Sequence, residues 1–263
     1  MENNEKINAG INKVITEMME RVMNKVLFTD PFIKENHHLK KPLYAALVPD
    51  EIFKGSHFER RFVTPFGGVW EKLAQVVAQE YHGHCEMGKT ITGQVGMERL
   101  RRIQEVLNRL ESGNKNIGKT EKDWNEVLAY ILKGKGKMLP THIKTDLFID
   151  SKRDNQTYAF FIKGDFPNRF QTKYCKENVL KLLAMNNQSI DNAYFTVLSD
   201  FNTELFSKQW FNFKNDDSLL IDKDFWELIG GKSIYNQLIS IANEIGKNSK
   251  KNIYTDVFEI TNN

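Results

Sequence analysis

Two apolar runs near the middle of the chain decide its fold: Thr145-Asp146-Leu147-Phe148-Ile149-Asp150 and Thr157-Tyr158-Ala159-Phe160-Phe161-Ile162-Lys163. Both are rich in β-branched and aromatic residues, and the segment between them, residues 151–156, consists of turn formers, so the pattern predicts an antiparallel β-hairpin. Side chains alternate between the two faces of a strand, which allows Asp146 and Lys163 to converge. A lysine that ends an apolar strand must meet solvent or a carboxylate, because burying it unpaired is costly.

Two interpretations of this hairpin stay open. In the first it is a metal-dependent phosphodiester site, where the carboxylate holds a divalent cation and the ammonium polarises the attacking water or neutralises phosphate charge. In the second it is a surface hairpin with charges at its ends. The hairpin by itself favours the second interpretation.

Composition sets the limits for both. With 263 residues, 40% of them hydrophobic, the chain can form one large domain or a core with an appendage. The formal net charge is only +3, so a nucleic-acid surface must come from local clustering of charge. Two cysteines, Cys85 and Cys175, give no disulfide framework and fit a reducing cytosol. With no apolar run of about 18 residues and no signal-peptide pattern, the sequence predicts a soluble intracellular protein.

Hydrophobic periodicity orders the remaining elements. It predicts a helix over residues 7–27 that ends at Asp30-Pro31, a short apolar element over 43–48, a loop over 57–68, and a helix from Val69. One further strand is predicted over residues 193–198. Further helices are predicted over residues 97–110, 124–132, a stretch after Pro167-Asn168, 224–231 and 234–245. Gly246 closes the last of these helices. Helix, hairpin, helix and strand in that order predict an α/β core.

Two short motifs invite a binding role. The segment His82-Gly83-His84-Cys85 suggests a metal site, but no second ligand pair follows at zinc-site spacing, so a solvated loop is favoured. Lys133-Gly134-Lys135-Gly136-Lys137 is the densest positive charge in the sequence, on a backbone free enough to approach a phosphate chain. The same run would also suit the solvated C-terminus of a helix.

Several motifs in this order resemble one family: Phe58-Glu59-Arg60 with Thr64-Pro65-Phe66-Gly67, the Asp146 strand, Phe161-Ile162-Lys163 followed by Pro167-Asn168, and Phe225-Trp226-Glu227-Leu228-Ile229-Gly230. From about residue 30 to residue 246 the chain resembles a type II restriction endonuclease of the PD-(D/E)XK superfamily, and more narrowly the group that recognises GGNCC. The resemblance implies a homodimer that cuts double-stranded DNA with Mg²⁺ in the cytoplasm of a prokaryotic cell, beside a methyltransferase that protects host sites.

For the fold, the resemblance implies an α/β PD-(D/E)XK nuclease-like core, with a mixed central sheet flanked by helices and additional N- and C-terminal helices. The whole chain, residues 1–263, would then form a single restriction-endonuclease domain. Its expected regions are an N-terminal helical part over 1–65, the nuclease core over 66–200 and a C-terminal helical part over 201–263.

The resemblance also assigns roles to residues. Asp146 matches the first metal-binding aspartate and Lys163 the catalytic lysine, while Phe161 stands where the motif has Asp or Glu. A phenyl ring cannot bind a hard cation, which needs oxygen ligands. The missing ligand is either Asp165, on the same strand face, or Glu177, fourteen positions after Lys163 on the next helix, or the site has lost activity. Glu177 is the favoured expectation.

The superfamily places a further acid on the helix before the sheet, and two residues compete for this role. Glu71 follows the Thr-Pro-Phe-Gly segment, and Glu126 lies twenty positions before Asp146 on the helix immediately upstream. Glu71 has the better local motif, whereas the short connection to the hairpin favours Glu126. Both stay open.

Expected DNA contacts fall into two groups. Guanine is best bound by Arg or Lys in the major groove, which makes Arg169, Lys173 and Lys208 candidates for base recognition. The lysines of the Gly/Lys run are candidates for phosphate contacts: Lys133, Lys135 and Lys137. Competing functions are a DNA-binding protein without chemistry, an interaction protein that docks through the helix carrying Met18-Met19, and a repair or homing nuclease.

Overall fold

Helices and strands alternate along the described part of the chain. The structure is a computed structural model that describes residues 2–113, 123–164, 167–186, 190–198 and 216–260. Its helices are α1 (Glu2–Asn24), α2 (Lys34–Lys40), α3 (Pro42–Leu47), α4 (Asp50–His82), α5 (Met97–Gly113), α6 (Trp124–Leu132), α7 (Arg169–Leu183), α8 (Lys223–Gly230) and α9 (Ile234–Asn252). Its strands are β1 (Cys85–Met87), β2 (Thr90–Gly96), β3 (Met138–Lys144), β4 (Leu147–Ser151), β5 (Gln156–Lys163), β6 (Asn192–Val197) and β7 (Leu219–Ile221).

The chain divides into two compact units, one formed by Met1–Val77 with Ser233–Asn263 and one by Ala78–Lys232. In the first unit, which is helical where it is described, α1 packs against α9. The buried face of α1 is formed by Ile7, Ile11, Ile15, Met18 and Val22. None of the described helices is long and apolar enough to cross a membrane.

The loop predicted over residues 57–68 is wrong, because α4 runs as one helix from Asp50 to His82 with Pro65 inside it. A proline inside a helix removes a hydrogen bond and costs about 3 kcal/mol. The following turns bury Val69, Leu73 and Val77. Burying each such side chain is worth about 1.5–3 kcal/mol, so the apolar face outweighs the proline. The predicted end of the last helix at Gly246 is also wrong, because α9 continues to Asn252.

The second unit contains the predicted α/β core. Five strands form a mixed sheet in the order β1-β4-β5-β6-β7, in which β1, β4 and β5 are antiparallel neighbours and β6 and β7 pair parallel. The hairpin of β4 and β5 is confirmed, with Ile149 opposite Tyr158. Helix α7 connects β5 to β6, and α6 spans the residues that its periodicity predicts.

Helices cover the two faces of this sheet. Phe148, Phe161 and Phe195 lie in one apolar cluster with Ile103 of α5 and Val179 of α7. On the other face, the ring of Phe160 meets the ring of Phe225 of α8 edge to face, with 5.4 Å between centroids. The result is a mixed α/β layer structure that matches the predicted fold class.

A second, two-stranded sheet was not predicted from the sequence. Strands β2 and β3 pair antiparallel over seven residues each, with Ile91 opposite Ile143. We call this pair of strands the ribbon. It is inserted, together with α5 and α6, between two strands that are neighbours in the main sheet, β1 and β4.

Candidate active site

The hairpin brings Asp146 and Lys163 together, as the sequence predicts. Asp146 lies in the link between β3 and β4, and Lys163 is the last residue of β5. The distance from Lys163 Nζ to Asp146 Oδ2 is 3.7 Å, and the side chains are 29% and 31% exposed. The backbone N–H of Ile162 donates to the same Oδ2 at 2.7 Å. The carboxylate is therefore held by the neighbouring strand and still open to solvent.

Backbone hydrogen bonds fix the segment that carries this carboxylate. The N–H of Asp146 donates to the carbonyl of Phe160 at 2.9 Å, and its own carbonyl accepts the N–H of Gly88 at 3.1 Å. Thr145, which is fully buried, donates both its N–H and its hydroxyl to the carbonyl of Lys89. The link between β1 and β2 thus clamps the start of β4 and sets where Asp146 stands.

Helix α7 contributes a thiol to the core, that of Cys175. Cys175 is fully buried, and burial raises the pKa of its thiol to about 12. The positive charge of Lys163 acts to lower this pKa, and the negative charge of Asp146 acts to raise it. Phe161 is only 2% exposed and belongs to the core, so it contributes no oxygen to the site.

The acids expected to complete the site are placed differently. Glu177 pairs with Lys181 on the next turn of α7, with 2.5 Å between Oε1 and Nζ. It follows Cys175 by two positions, about 200° around the helix, so it leaves α7 on the side away from that thiol. Asp165 lies outside the described residues. Among the residues that are described, no three His, Cys, Asp or Glu side chains form a group that could hold a metal ion.

The two acids proposed for the upstream helix lie in different units. Glu71 is exposed on α4, in the part of that helix that belongs to the first unit. Glu126 is exposed in the first turn of α6, in the second unit, where Asp123 caps the helix by accepting the N–H of Asn125. Topologically, α4 is the helix that enters the sheet at β1, whereas α6 belongs to the insertion.

The lysines of the Gly/Lys run are all exposed: Lys133, Lys135 and Lys137. None of the three makes an ion pair with a described residue. Two glycines shape the run. A Cβ on Gly134 would lie 2.9 Å from the backbone nitrogen of Arg99, and Gly136 has a φ of +120°. The run is therefore a defined turn that carries three available cations.

The other basic candidates are less available. Lys173 donates to Asn108 Oδ1 on α5 at 3.2 Å, which links the two helices. Arg169 is exposed at the start of α7 and has interaction partners of its own. Lys208 lies outside the described residues.

The segment from His82 to Cys85 is not the solvated loop that the sequence favours. His82 is buried; its Nε2 donates to the carbonyl of Leu228, and its Nδ1 accepts the hydroxyl of Ser151 at 2.8 Å. Burial lowers the pKa of this histidine. These partners come 69 and 146 residues later in the chain, so the local sequence around His82 does not predict them.

Comparison with known proteins decides the family. A family model described as "Type II restriction endonuclease, HinfI" matches residues 7–246, most of the chain. The chain belongs to this family. Such endonucleases are site-specific deoxyribonucleases that act on DNA and generally need a divalent metal ion.

Individual relatives agree with this assignment. The type II restriction enzyme HgiEI of Herpetosiphon aurantiacus is 25% identical to the endonuclease over 254 residues, which cover 91% of this chain and 90% of HgiEI. HgiBI of the same organism is 25% identical over 78% of this chain and 77% of its own length. HgiCII, also from that organism, is 23% identical over 81% and 80%.

In the charged pair of the endonuclease, only one oxygen of the Asp146 carboxylate is available to a metal ion. Asp146 Oδ2 is taken by Ile162 and faces Lys163, whereas Oδ1 accepts no hydrogen bond from any described residue. A hard cation binds oxygen ligands, and this free carboxylate oxygen is one of them. Asp146 therefore fits as one metal ligand, and a complete site needs at least one more oxygen donor.

Proposed function

We propose that the endonuclease hydrolyses double-stranded DNA at a specific sequence with Mg²⁺, on a site of the PD-(D/E)XK type, and leaves 5′-phosphate and 3′-hydroxyl ends. The observation that carries the proposal is the pair of Asp146 and Lys163, with Oδ1 of the aspartate free beside the ammonium. The family supplies the substrate class, and the pair supplies an anion and a cation at the ends of two central strands, β4 and β5.

Each member of the pair has a distinct role in this proposal. Asp146 would hold the ion, which when bound supplies positive charge to the scissile phosphate. Lys163 orients the attacking water and offsets negative charge as it develops on the phosphate. Water attacks phosphorus in line with the leaving oxygen and gives up a proton to solvent, the bond to the 3′-oxygen breaks, and that oxygen takes up a proton from solvent. The two ends are then a 3′-hydroxyl and a 5′-phosphate.

Two acids remain proposed as the second metal ligand. Glu177 requires a rotamer that leaves Lys181, because the two side chains are paired. Asp165 is supported by its place in the sequence, two positions after Lys163. Glu71 and Glu126 are proposed as alternatives for a further acid: Glu71 follows the better local motif, and Glu126 precedes the hairpin by a short connection.

The proposed recognition sequence, GGNCC, rests on the resemblance of the motifs in the sequence. Incubation of the purified protein with unmethylated phage DNA, with and without Mg²⁺, and sequencing of the fragment ends test it directly. Discrete Mg²⁺-dependent ends within GGNCC support the proposal. Discrete ends at another sequence would replace the recognition site and leave the reaction in place. Scattered ends would favour a repair-type nuclease.

A homodimer is the proposed assembly, and α3 supports it. This helix, Pro-Leu-Tyr-Ala-Ala-Leu, contains no charged residue and none that is buried, although a helix apolar on all sides is normally covered. Leu43 and Leu47 are 76% and 80% exposed. Exposed Lys40 and Lys41 precede the helix and exposed Glu51 follows it. A two-fold axis through α3 would set the lysines of one copy against the glutamate of the other.

The dimer is tested by the mass of the protein in solution. Leu43→Asp with Leu47→Asp places charges in the proposed contact, and we expect a monomer. Ile239→Asp, at an exposed position of α9, is the matched control and should leave the mass unchanged. A dimer that survives the double substitution would place the contact elsewhere.

A DNA-binding protein without chemistry is the second candidate function, and Phe161 favours it. Its ring fills the core where the motif has an acid, so the site holds one carboxylate fewer than the superfamily pattern. DNA that is bound but stays intact with Mg²⁺ would support this candidate.

The proposed cellular setting is the same for both candidate functions. It is the cytoplasm of a prokaryotic cell, where the two free cysteines stay reduced, and where a methyltransferase protects host DNA.

A further inference from the structure

The ribbon has one buried and one exposed face. Ile91 and Val95 of β2 and Ile143 of β3 lie in the core cluster. Alternation puts the intervening residues on the opposite face, and their register is Thr90 opposite Lys144, Thr92 opposite His142 and Gln94 opposite Pro140. All of these are exposed. We call the set of Thr90, Thr92, Gln94, His142 and Lys144 the ribbon face.

The side chains of the ribbon face have no partners within the described residues. None of the five side chains makes a hydrogen bond or an ion pair with a described residue, and the face holds one lysine, one histidine and no acid. Its donors and acceptors are therefore available to a ligand, and its charge suits a polyanion better than an acidic protein surface.

The backbone under this face is rigidly held. A Cβ on Gly93 would lie 2.8 Å from the sulfur of Met185, so the strand packs closely on the end of α7. The N–H of Asn186 donates to the carbonyl of Gln94 at 2.9 Å, and the Asn186 amide contacts the sulfur of Met138. A recognition element needs such support, because its side chains must be held in a productive geometry.

The position of the ribbon connects it to the active site and to the free lysines. Lys144, at one end of β3, precedes Asp146 by two residues, and Lys137 directly precedes the other end. A strand rises about 3.3 Å per residue, so the four-residue step from His142 to Asp146 spans at most about 13 Å. DNA rises about 3.4 Å along its axis per base pair, so this distance corresponds to no more than about four base pairs.

We infer that the ribbon face reads base edges in the major groove of the DNA that the active site cuts. The major groove admits a two-stranded β-ribbon. Lys144 and His142 can donate to N7 and O6 of guanine, and the Gln94 amide can both donate and accept. The lysines at the far end of β3 contact the phosphate chain. The inference rests on the proposed function, because it presumes cleavage at a specific sequence.

The test compares cut sites chosen from a randomised duplex library by the wild-type protein and by Gln94→Ala and His142→Ala. We expect the variants to lose base preference at one or more positions and to cut the preferred site of the wild type about tenfold more slowly, the loss that one good base contact gives. Binding of Gln94→Ala to a duplex without the site should change less than twofold, because Gln94 carries no charge and so adds nothing to the sequence-independent attraction to phosphate.

Controls separate recognition from folding and from the proposed function. Asn125→Ala, at an exposed position of α6, should keep the base preference and rate of the wild type. Thermal unfolding of each variant shows whether the fold is kept. Gln94→Glu keeps the shape of the side chain but adds a negative charge, so it should cleave more slowly than Gln94→Ala because the DNA repels it. Variants that cut the same sequences at the wild-type rate would overturn the inference alone. A wild-type protein that cuts without preference would overturn the proposed site specificity, and the inference with it.

Discussion

Asp146 Oδ2 accepts the backbone N–H of Ile162, and the other oxygen of the same carboxylate accepts no hydrogen bond within the described residues. One oxygen therefore belongs to the hairpin and the other is available for chemistry. An amide can replace the first function but not the second, because its oxygen still accepts the N–H while its charge is gone.

We expect Asp146→Asn to keep its fold and lose cleavage by at least about a hundredfold, since metal charge on a phosphate is worth several kcal/mol. Affinity for the cognate duplex should be kept or rise, because a negative charge beside the phosphate is removed. Cleavage rates and filter binding measure the two effects. Asp150→Asn, at an exposed position of β4, is the matched control. Cutting by Asp146→Asn at the wild-type rate would remove Asp146 from the site.

The role of Glu177 is separable from its pairing with Lys181. If Glu177 binds the metal, Glu177→Gln should lower Mg²⁺-dependent cleavage by at least about a hundredfold, whereas Lys181→Met should leave it within threefold because it only frees the carboxylate. An i,i+4 ion pair on a helix surface is worth about 0.3–0.5 kcal/mol, so neither change should unfold the protein. Equal activity of both variants would assign Glu177 to the helix surface and leave Asp165 as the second ligand.

Lys176 is buried on α7 and forms an ion pair with Asp216, whose side chain is 6% exposed. Ser218 also donates to this aspartate, so the charges are held in a small buried network. Lys176→Met leaves the Asp216 carboxylate without its cation, and we expect a loss of about 3–5 kcal/mol in the free energy of unfolding. Urea denaturation measures it.

The double variant Lys176→Met with Asp216→Asn is the control for that loss. Removing both charges also removes the uncompensated one, so the double variant should be more stable than Lys176→Met alone. A single variant that unfolds at the same urea concentration as the wild type would mean that the carboxylate reaches solvent.

His82 should make the stability of the protein depend on pH. Burial holds its pKa below the ordinary value of 6.5, so the unfolded chain binds a proton at a higher pH than the folded one. The contribution of the neutral ring is complete above about pH 6.5 and is lost as pH falls toward the folded-state pKa, by up to about 1.4 kcal/mol per pH unit. Denaturation at pH 7.5 and 5.5 measures this, and His82→Gln should show a smaller difference. An identical difference in both proteins would contradict the assignment.

The parts of the fold that the sequence predicts are those with strong local patterns. The hairpin follows from two apolar runs around a polar turn, and α6 from its periodicity. The ribbon was not predicted because both of its strands contain residues that are uncommon in strands. Strand β2 contains Gly93 and ends in Gly96, and β3 contains Pro140, which argues against a strand unless the strand lies at a sheet edge. Its buried residues reveal their alternation only once β2 and β3 are paired across more than forty residues.

The candidate site was predictable to the same extent. The convergence of Asp146 and Lys163 follows from the alternation of side chains within one hairpin. The direction of Glu177 does not, because it depends on how α7 is rotated about its axis, and Cys175 and Val179 set that rotation by packing into the core. The partners of His82 are equally long-range, so its burial could not be read from the four residues around it.

Residues of the ribbon and residues of the main sheet pack into one and the same core, in which Val95 and Ile143 meet the cluster of Phe148 and Phe161. A molecule whose ribbon has detached has therefore also lost the packing behind β4, the strand that directly follows Asp146. If the ribbon recognises the DNA sequence, its detachment abolishes recognition and cleavage at the same time. Damaged copies of such an enzyme then become inactive and do not cleave the DNA of their own cell nonspecifically.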